Sequence, residues 1–169
     1  YPELFGGVNN VSLDDAPVLD FRDNETFAAE QGLIVVKANP DQGHDVHSHF
    51  TDFTAWEVKE GAHFQYTSHY IISNFDLIGR DASAFNTSTT GISFGPNTSD
   101  MTIVNATIFG FNDAAIDLNK DFNNLLGRSS LDESLHAYQV IGGIFEDGQT
   151  QFLNYDPSLD TVLGAAPEA

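Results

Sequence analysis

The chain has 169 residues, with six Lys and Arg against 25 Asp and Glu, a net charge of −19. So few basic residues exclude a phosphate backbone as partner, and the absence of cysteine excludes disulfides, cysteine-ligated zinc and thiol catalysis. No apolar run reaches the ~20 residues of a membrane-crossing helix, while 41% hydrophobic and 12% aromatic content supports one domain with a sizeable core.

Nothing at Tyr1-Pro2-Glu3 reads as a signal peptide, so the expectation is a mature form, a processed fragment or an excised domain. High acidity with few Lys and no cysteine suits a secreted bacterial protein or one from a salty habitat, with an acidic cytoplasmic protein as the alternative. Asn-x-Ser/Thr occurs at Asn10, Asn24, Asn86, Asn97 and Asn105 and matters only in a eukaryotic secretory pathway.

Taken in chain order, the elements repeat. A weak first coil surrounds Phe21–Phe27, and a strand follows at Gly32-Leu33-Ile34-Val35. Phe50-Thr51-Asp52-Phe53-Thr54-Ala55 brings a strand, a turn at Asp52 and a second strand. The segment from Gly61 to Gly79 then aligns with the segment from Gly91 to Gly110 after one inserted residue near Asn97. Phe64 meets Phe94, Ile72 meets Ile103, Asn74 meets Asn105 and Leu77 meets Ile108. Ala115-Ile116-Asp117-Leu118 and Val140-Ile141-Gly142-Gly143-Ile144-Phe145 repeat the two strand types again. The local period is 2, so these are strands with one buried face. Turn positions 52, 74, 105 and 142 differ by 22, 31 and 37. A minimal coil needs about 20 residues, so the excess at Arg80–Thr90 and Asn119–Leu135 loops out, and both loops are expected to leave from one region. Residues 154–169 read as a cap extension or linker after a domain over 1–153, with repeats clearest over 32–147.

The segments from Asp52 to Tyr66, His69 to Gly79 and Asp100 to Leu118 carry a family likeness. They resemble the right-handed parallel β-helix of pectate-lyase-like proteins, and especially the β-helical repeats of large extracellular proteins of the fibrocystin type. The fold class this implies is all-β, a solenoid of about five coils with two loop insertions. The same short-strand pattern is also that of an antiparallel β-sandwich.

Four groups of residues are candidates for chemistry. His47, His49, His69 and Asp100 fall on neighbouring coils, where imidazoles about one strand spacing apart, ~4.8 Å, with a carboxylate suit a divalent metal such as zinc. A solvated His-rich strand is the plainer alternative. Asp113, Asp117, Asn119 and Asp121 offer oxygen ligands for Ca²⁺, although Phe122 and Arg128 stand where an EF-hand loop needs Gly and Glu. Lys59, His63, His69 and Arg80 are the cations a polysaccharide lyase or epimerase would use. Trp56, Tyr66 and Tyr70 are aromatics for stacking on sugar rings. No G-x-S-x-G elbow and no phosphate-binding Gly loop is present. The expected role is an extracellular structural or adhesive domain in contact with a polysaccharide or cell-surface glycan, stabilised by Ca²⁺ and flanked by further domains. The alternative is a lyase, epimerase or glycosidase on an extracellular glycan.

Overall fold

The computed structural model describes residues 16–37, 46–80, 89–119, 138–146, 150–164 and 166–167. Among them are 17 strands and no helix. The chain uses the strands three at a time. The first coil is β1 (Phe21–Arg22), β2 (Glu25–Phe27) and β3 (Gln31–Val36); the second is β4 (Ser48–Thr51), β5 (Thr54–Val58) and β6 (Glu60–Gln65). The third is β7 (Ser68–Ser73), β8 (Asp76–Gly79) and β9 (Thr90–Phe94), and the fourth β10 (Ser99–Val104), β11 (Thr107–Phe109) and β12 (Ala114–Asp117). The fifth is β13 (Tyr138–Ile141), β14 (Ile144–Phe145) and β15 (Phe152–Leu153), and β16 (Thr161–Leu163) with β17 (Ala166–Pro167) begins a sixth.

Every third strand stacks on its equivalent. Sheet A is β1-β4-β7-β10-β13-β16, sheet B is β2-β5-β8-β11-β14-β17, and sheet C is β3-β6-β9-β12-β15. All pairings between these strands are parallel, which removes the sandwich and makes the domain a parallel β-helix. Residues 154–169 contribute β16 and β17, so that segment continues the stack.

The core is a set of columns running up the solenoid. On sheet A, Phe50, Ile72, Ile103 and Val140 stand in register and are buried. Ala55, Leu77, Ile108 and Phe145 do the same on sheet B, and Ala62, Ile92 and Ile116 on sheet C. Rings stack between coils as well, with Phe94 and Tyr138 at 4.7 Å and 8°. Sheets B and C approach closely at Gly61, where an added Cβ would lie 2.5 Å from the Gly91 carbonyl oxygen and 2.8 Å from Leu77.

The turn from sheet A to sheet B begins in each coil with a residue of positive φ: Asp23, Asp52, Asn74, Asn105, Gly142 and Gly164; in the fifth coil Gly143 has positive φ as well. The amide of each of Asp52, Asn74, Asn105 and Gly142 donates to the last carbonyl of the sheet A strand in the next coil. Asn74 Nδ2 donates to Asp52 Oδ1 at 3.0 Å. The Asn105 side-chain oxygen lies directly against the position a Gly142 Cβ would take.

The two long insertions lie largely outside the described residues, but the strands that bracket them differ. Residues 81–88 fall between β8 and β9, at the corner from sheet B to sheet C, whereas 120–137 fall between β12 and β13, at the corner from C to A. A third stretch, 38–45, lies between β3 and β4 and shares the C-to-A corner. Which corner an insertion leaves from depends on the strand preceding it, and the sheet B and C strands alternate alike.

Two stability outcomes follow from the columns. Ile103→Ala removes a fully buried side chain and is expected to cost about 2–5 kcal/mol in denaturant unfolding. Its outward neighbour Thr102→Ala is expected to cost well under half of that. Gly142→Ala places a Cβ at φ +66, a strain of about 1–2 kcal/mol, and adds the clash with Asn105. The same substitution should be measurably cheaper in an Asn105→Gly background, and equal costs would show that the two side chains do not meet.

Candidate functional site

The outward positions line up as strictly as the core, because parallel strands in register carry each face from coil to coil. On sheet B, inward Ala55 and Leu77 put Trp56 and Ile78 outside. The outer ladder Phe27, Trp56, Ile78, Phe109 is in register through four coils. Phe27 is 61% exposed, Trp56 39% and Ile78 45%. The Phe27 and Trp56 rings stack at 5.0 Å with 14° between planes. Beside this ladder runs a polar column of Glu25, Thr54, Asp76 and Thr107. Trp56 Nε1 donates to Glu25 Oε1 at 2.7 Å, which fixes the indole. A bulge follows Trp56, and Glu57 there has φ 58. The Glu57 carboxylate lies 3.8 Å from Arg80 Nε.

Sheet C carries a second cluster, of which only His63 was evident as a candidate in the sequence. Gln31, Glu60 and Thr90 stand in register, as do His63 and Ser93. Gln31 Nε2 donates to Glu60 Oε2 at 2.5 Å, and the Ser93 hydroxyl donates to Glu60 Oε1. His63 Nδ1 is 2.6 Å from Ser93 Oγ and 3.3 Å from Glu60 Oε1. Its Nε2 is 3.2 Å from Gln65 Oε1. Gly95 leaves room for this, since a Cβ there would lie 2.8 Å from Gln65 Cβ and 3.1 Å from His63 Cε1. Burial acts to raise the Glu60 pKa and is the largest single influence, but hydrogen bonds from His63, Gln31 and Ser93 together hold it below the usual glutamate value. The hydrogen bond to Glu60 raises His63, against the effect of burial, and Gln65 adds to it. Both ring nitrogens face acceptors, the arrangement that favours imidazolium. Ser93 and Glu60 crowd the same imidazole nitrogen, so this is an ion pair bridged by a hydroxyl and not a nucleophile–base–carboxylate relay.

At the start of sheet A the predicted column forms. His47 Nε2 is 3.1 Å from Asp100 Oδ2 and His69 Nε2 is 3.6 Å from the same oxygen. The imidazole centroids are 5.5 Å apart. His69 (φ 62) and Asp100 (φ 51) both take left-handed backbone, and His69 Nδ1 is 2.7 Å from Ser68 Oγ. The carboxylate oxygen itself sits between the two imidazoles, and among the described residues no group of three or more such side chains is arranged to hold a metal ion. His49 faces outward on β4 in register with Ile71 and does not belong to the cluster.

Other expected sets separate. Asp113 precedes β12 and Asp117 ends it, so extended backbone holds them about 13 Å apart, too far to share one Ca²⁺ with ligands at ~2.3–2.6 Å. Asp117 Oδ1 accepts from Asn154 Nδ2 at 2.7 Å, and the Asn119 carbonyl accepts from Tyr138 at 2.7 Å. Asp121 lies outside the described residues. Lys59 pairs with Glu30 at 3.3 Å, His63 with Glu60, His69 with Asp100 and Arg80 with Glu57, on different corners and faces. Tyr70 is fully buried, packed against Phe50 and Phe64, and presents no ring to a sugar. Tyr66 sits at the turn between β6 and β7, away from Trp56 on sheet B. No protein family, curated protein or solved structure matches the chain.

The sheet C pair gives a pH dependence. His63, raised in the folded state, contributes stability that is complete below its unfolded pKa of 6.5 and lost as pH rises through the folded value. Glu60, lowered, contributes above its unfolded pKa of 4.5 and loses this as pH falls through the folded value. The stability difference between the native chain and Glu60→Gln should therefore be greatest between pH 4.5 and 6.5 and shrink on either side. A difference that is flat across pH 2.5 to 8.5, a range of about two units either side of that window, would show that the pair is not ionised.

Proposed function

We propose that the domain is an extracellular structural and adhesive β-helix of the pectate-lyase-like or fibrocystin-type kind, whose outer face of sheet B makes contact with a glycan. The observation that carries this reading is the exposed Phe27–Trp56 stack, continued by Ile78 and Phe109 and bordered by hydrogen-bonding side chains. Solvent-facing aromatic rings are costly to leave in water and suit the apolar faces of pyranose rings, while adjacent carboxylates and hydroxyls suit sugar hydroxyls. The polysaccharide-processing alternative draws less support. Lyase chemistry needs a base and a neutralising cation on one sugar unit, and Lys59, His63, His69 and Arg80 each rest on a separate carboxylate.

The test is depletion of the purified domain by insoluble chitin and cellulose, with Phe27→Ala and Trp56→Ala as variants. Each substitution is expected to weaken retention about five- to tenfold, or ~1–1.4 kcal/mol, with an unchanged strand-type circular dichroism spectrum. Retention unaffected by both substitutions would remove sheet B from the reading.

A further inference from the structure

We propose that the glycan docked on the outer face of sheet B carries free amino groups; this deepens the glycan-contact reading above and rests on it. The argument is charge complementarity across an unpartnered sheet face. The chain bears −19, and the column beside the ladder of Phe27, Trp56, Ile78 and Phe109 holds two carboxylates and two threonines and neither Lys nor Arg. Glu25 and Asp76 lie in the column beside it, two coils apart, about 9–10 Å. Asp76 is exposed, and its carboxylate has no hydrogen bond or ion pair among the described residues. Glu25 uses one oxygen on Trp56, which leaves its other oxygen as an acceptor.

The converse holds for an acidic glycan. Each described Lys and Arg is already engaged: Arg22 with Asp20, Lys37 with the Ala16 carbonyl, Lys59 with Glu30 and Arg80 with Glu57. A uronate carboxylate brought to that column would meet Glu25 and Asp76, while Arg80, two residues past Ile78, is paired with Glu57. An ammonium group would meet those carboxylates and the exposed Phe27 ring, which attracts cations within about 6 Å of its centroid.

The experiment measures binding of the intact domain to soluble chitosan oligomers, neutral N-acetylated chitin oligomers, oligogalacturonate and poly-lysine. Ionic strength is held near 0.15 M, where a Debye length of about 8 Å damps the diffuse attraction of a −19 protein. Chitosan should bind best and oligogalacturonate should not bind. Glu25→Gln with Asp76→Asn should weaken chitosan about tenfold and clearly more than it weakens the N-acetylated oligomer, because the amides keep an acceptor for Trp56 and for sugar hydroxyls but lose the charge. Asp20→Asn with Asp100→Asn removes equal charge on sheet A and should change chitosan binding less than about twofold. Equal binding of chitosan and the neutral oligomer would keep the glycan reading and overturn the amino-group proposal. A sheet A pair as damaging as the sheet B pair would also overturn it, by showing diffuse attraction. Binding of poly-lysine with no glycan bound would overturn both and point to a basic protein partner.

Discussion

Each coil enters the turn from sheet A to sheet B on a left-handed residue, and the register of everything downstream depends on that turn. An L-residue in this conformation loses roughly 1–2 kcal/mol unless it is Gly, or Asn or Asp with a local hydrogen bond. The positions are filled by Asp23, Asp52, Asn74, Asn105, Gly142 and Gly164. Because the turn amides bond upward to the next coil, each turn fixes the height of the following one as well as its own direction. A slip by one residue would reverse the faces of the strands on both sides of it, sending Ile72 and Ile103 outward and Ile71 and Thr102 into the core.

Stacking identical positions also stacks like charges, and an acidic chain has to manage that. At several positions the structure does so by pairing chemically different groups from coil to coil. Asn74 donates to Asp52, Gln31 and Ser93 donate to Glu60, Asn154 donates to Asp117, and two imidazoles flank Asp100. Neutral donors serve this purpose without adding basic residues, which is why a chain with so few Lys and Arg can still hold carboxylates at one strand spacing. These bonds are between coils, so they add to the cohesion of neighbouring turns, the interaction on which a solenoid depends.

Much of this was legible in the sequence, because turn residues and period-2 alternation are local signals. The turn column from Asp52 to Gly142 and the inward set Ile72, Ile103 and Val140 follow from the alignment of Gly61–Gly79 with Gly91–Gly110 and from the strand copies at Phe50–Ala55 and Val140–Phe145. The same alignment brings His47, His69 and Asp100 together. The phase of Tyr70 is readable too: it is two residues before Ile72 and therefore shares its inward face, which keeps its ring from a sugar. The Glu60–Ser93 contact was also within reach, since matching Gly61 to Gly91 sets His63 beside Ser93 and Glu60 beside Thr90. What local pattern does not carry is the corner at which an insertion leaves, or whether Asp113 and Asp117 lie on a loop or on opposite ends of a strand. Those depend on the path of the whole coil.

The outer faces differ in what they leave available. On sheet C the polar groups are consumed by one another: Glu60 takes three partners and His63 directs both nitrogens at neighbours. A ligand there would have to break a satisfied, half-buried network, which costs more than it returns unless every bond is replaced. On sheet B the situation is reversed. Trp56 is held by one bond and one ring contact, Phe27 has a free side, and Asp76 keeps its carboxylate in solvent. Binding on sheet B needs little reorganisation of the protein, because the ladder is already aligned by the backbone register beneath it. The rigidity of the solenoid and the availability of that one face thus have the same origin, the strict repetition of strand positions from coil to coil.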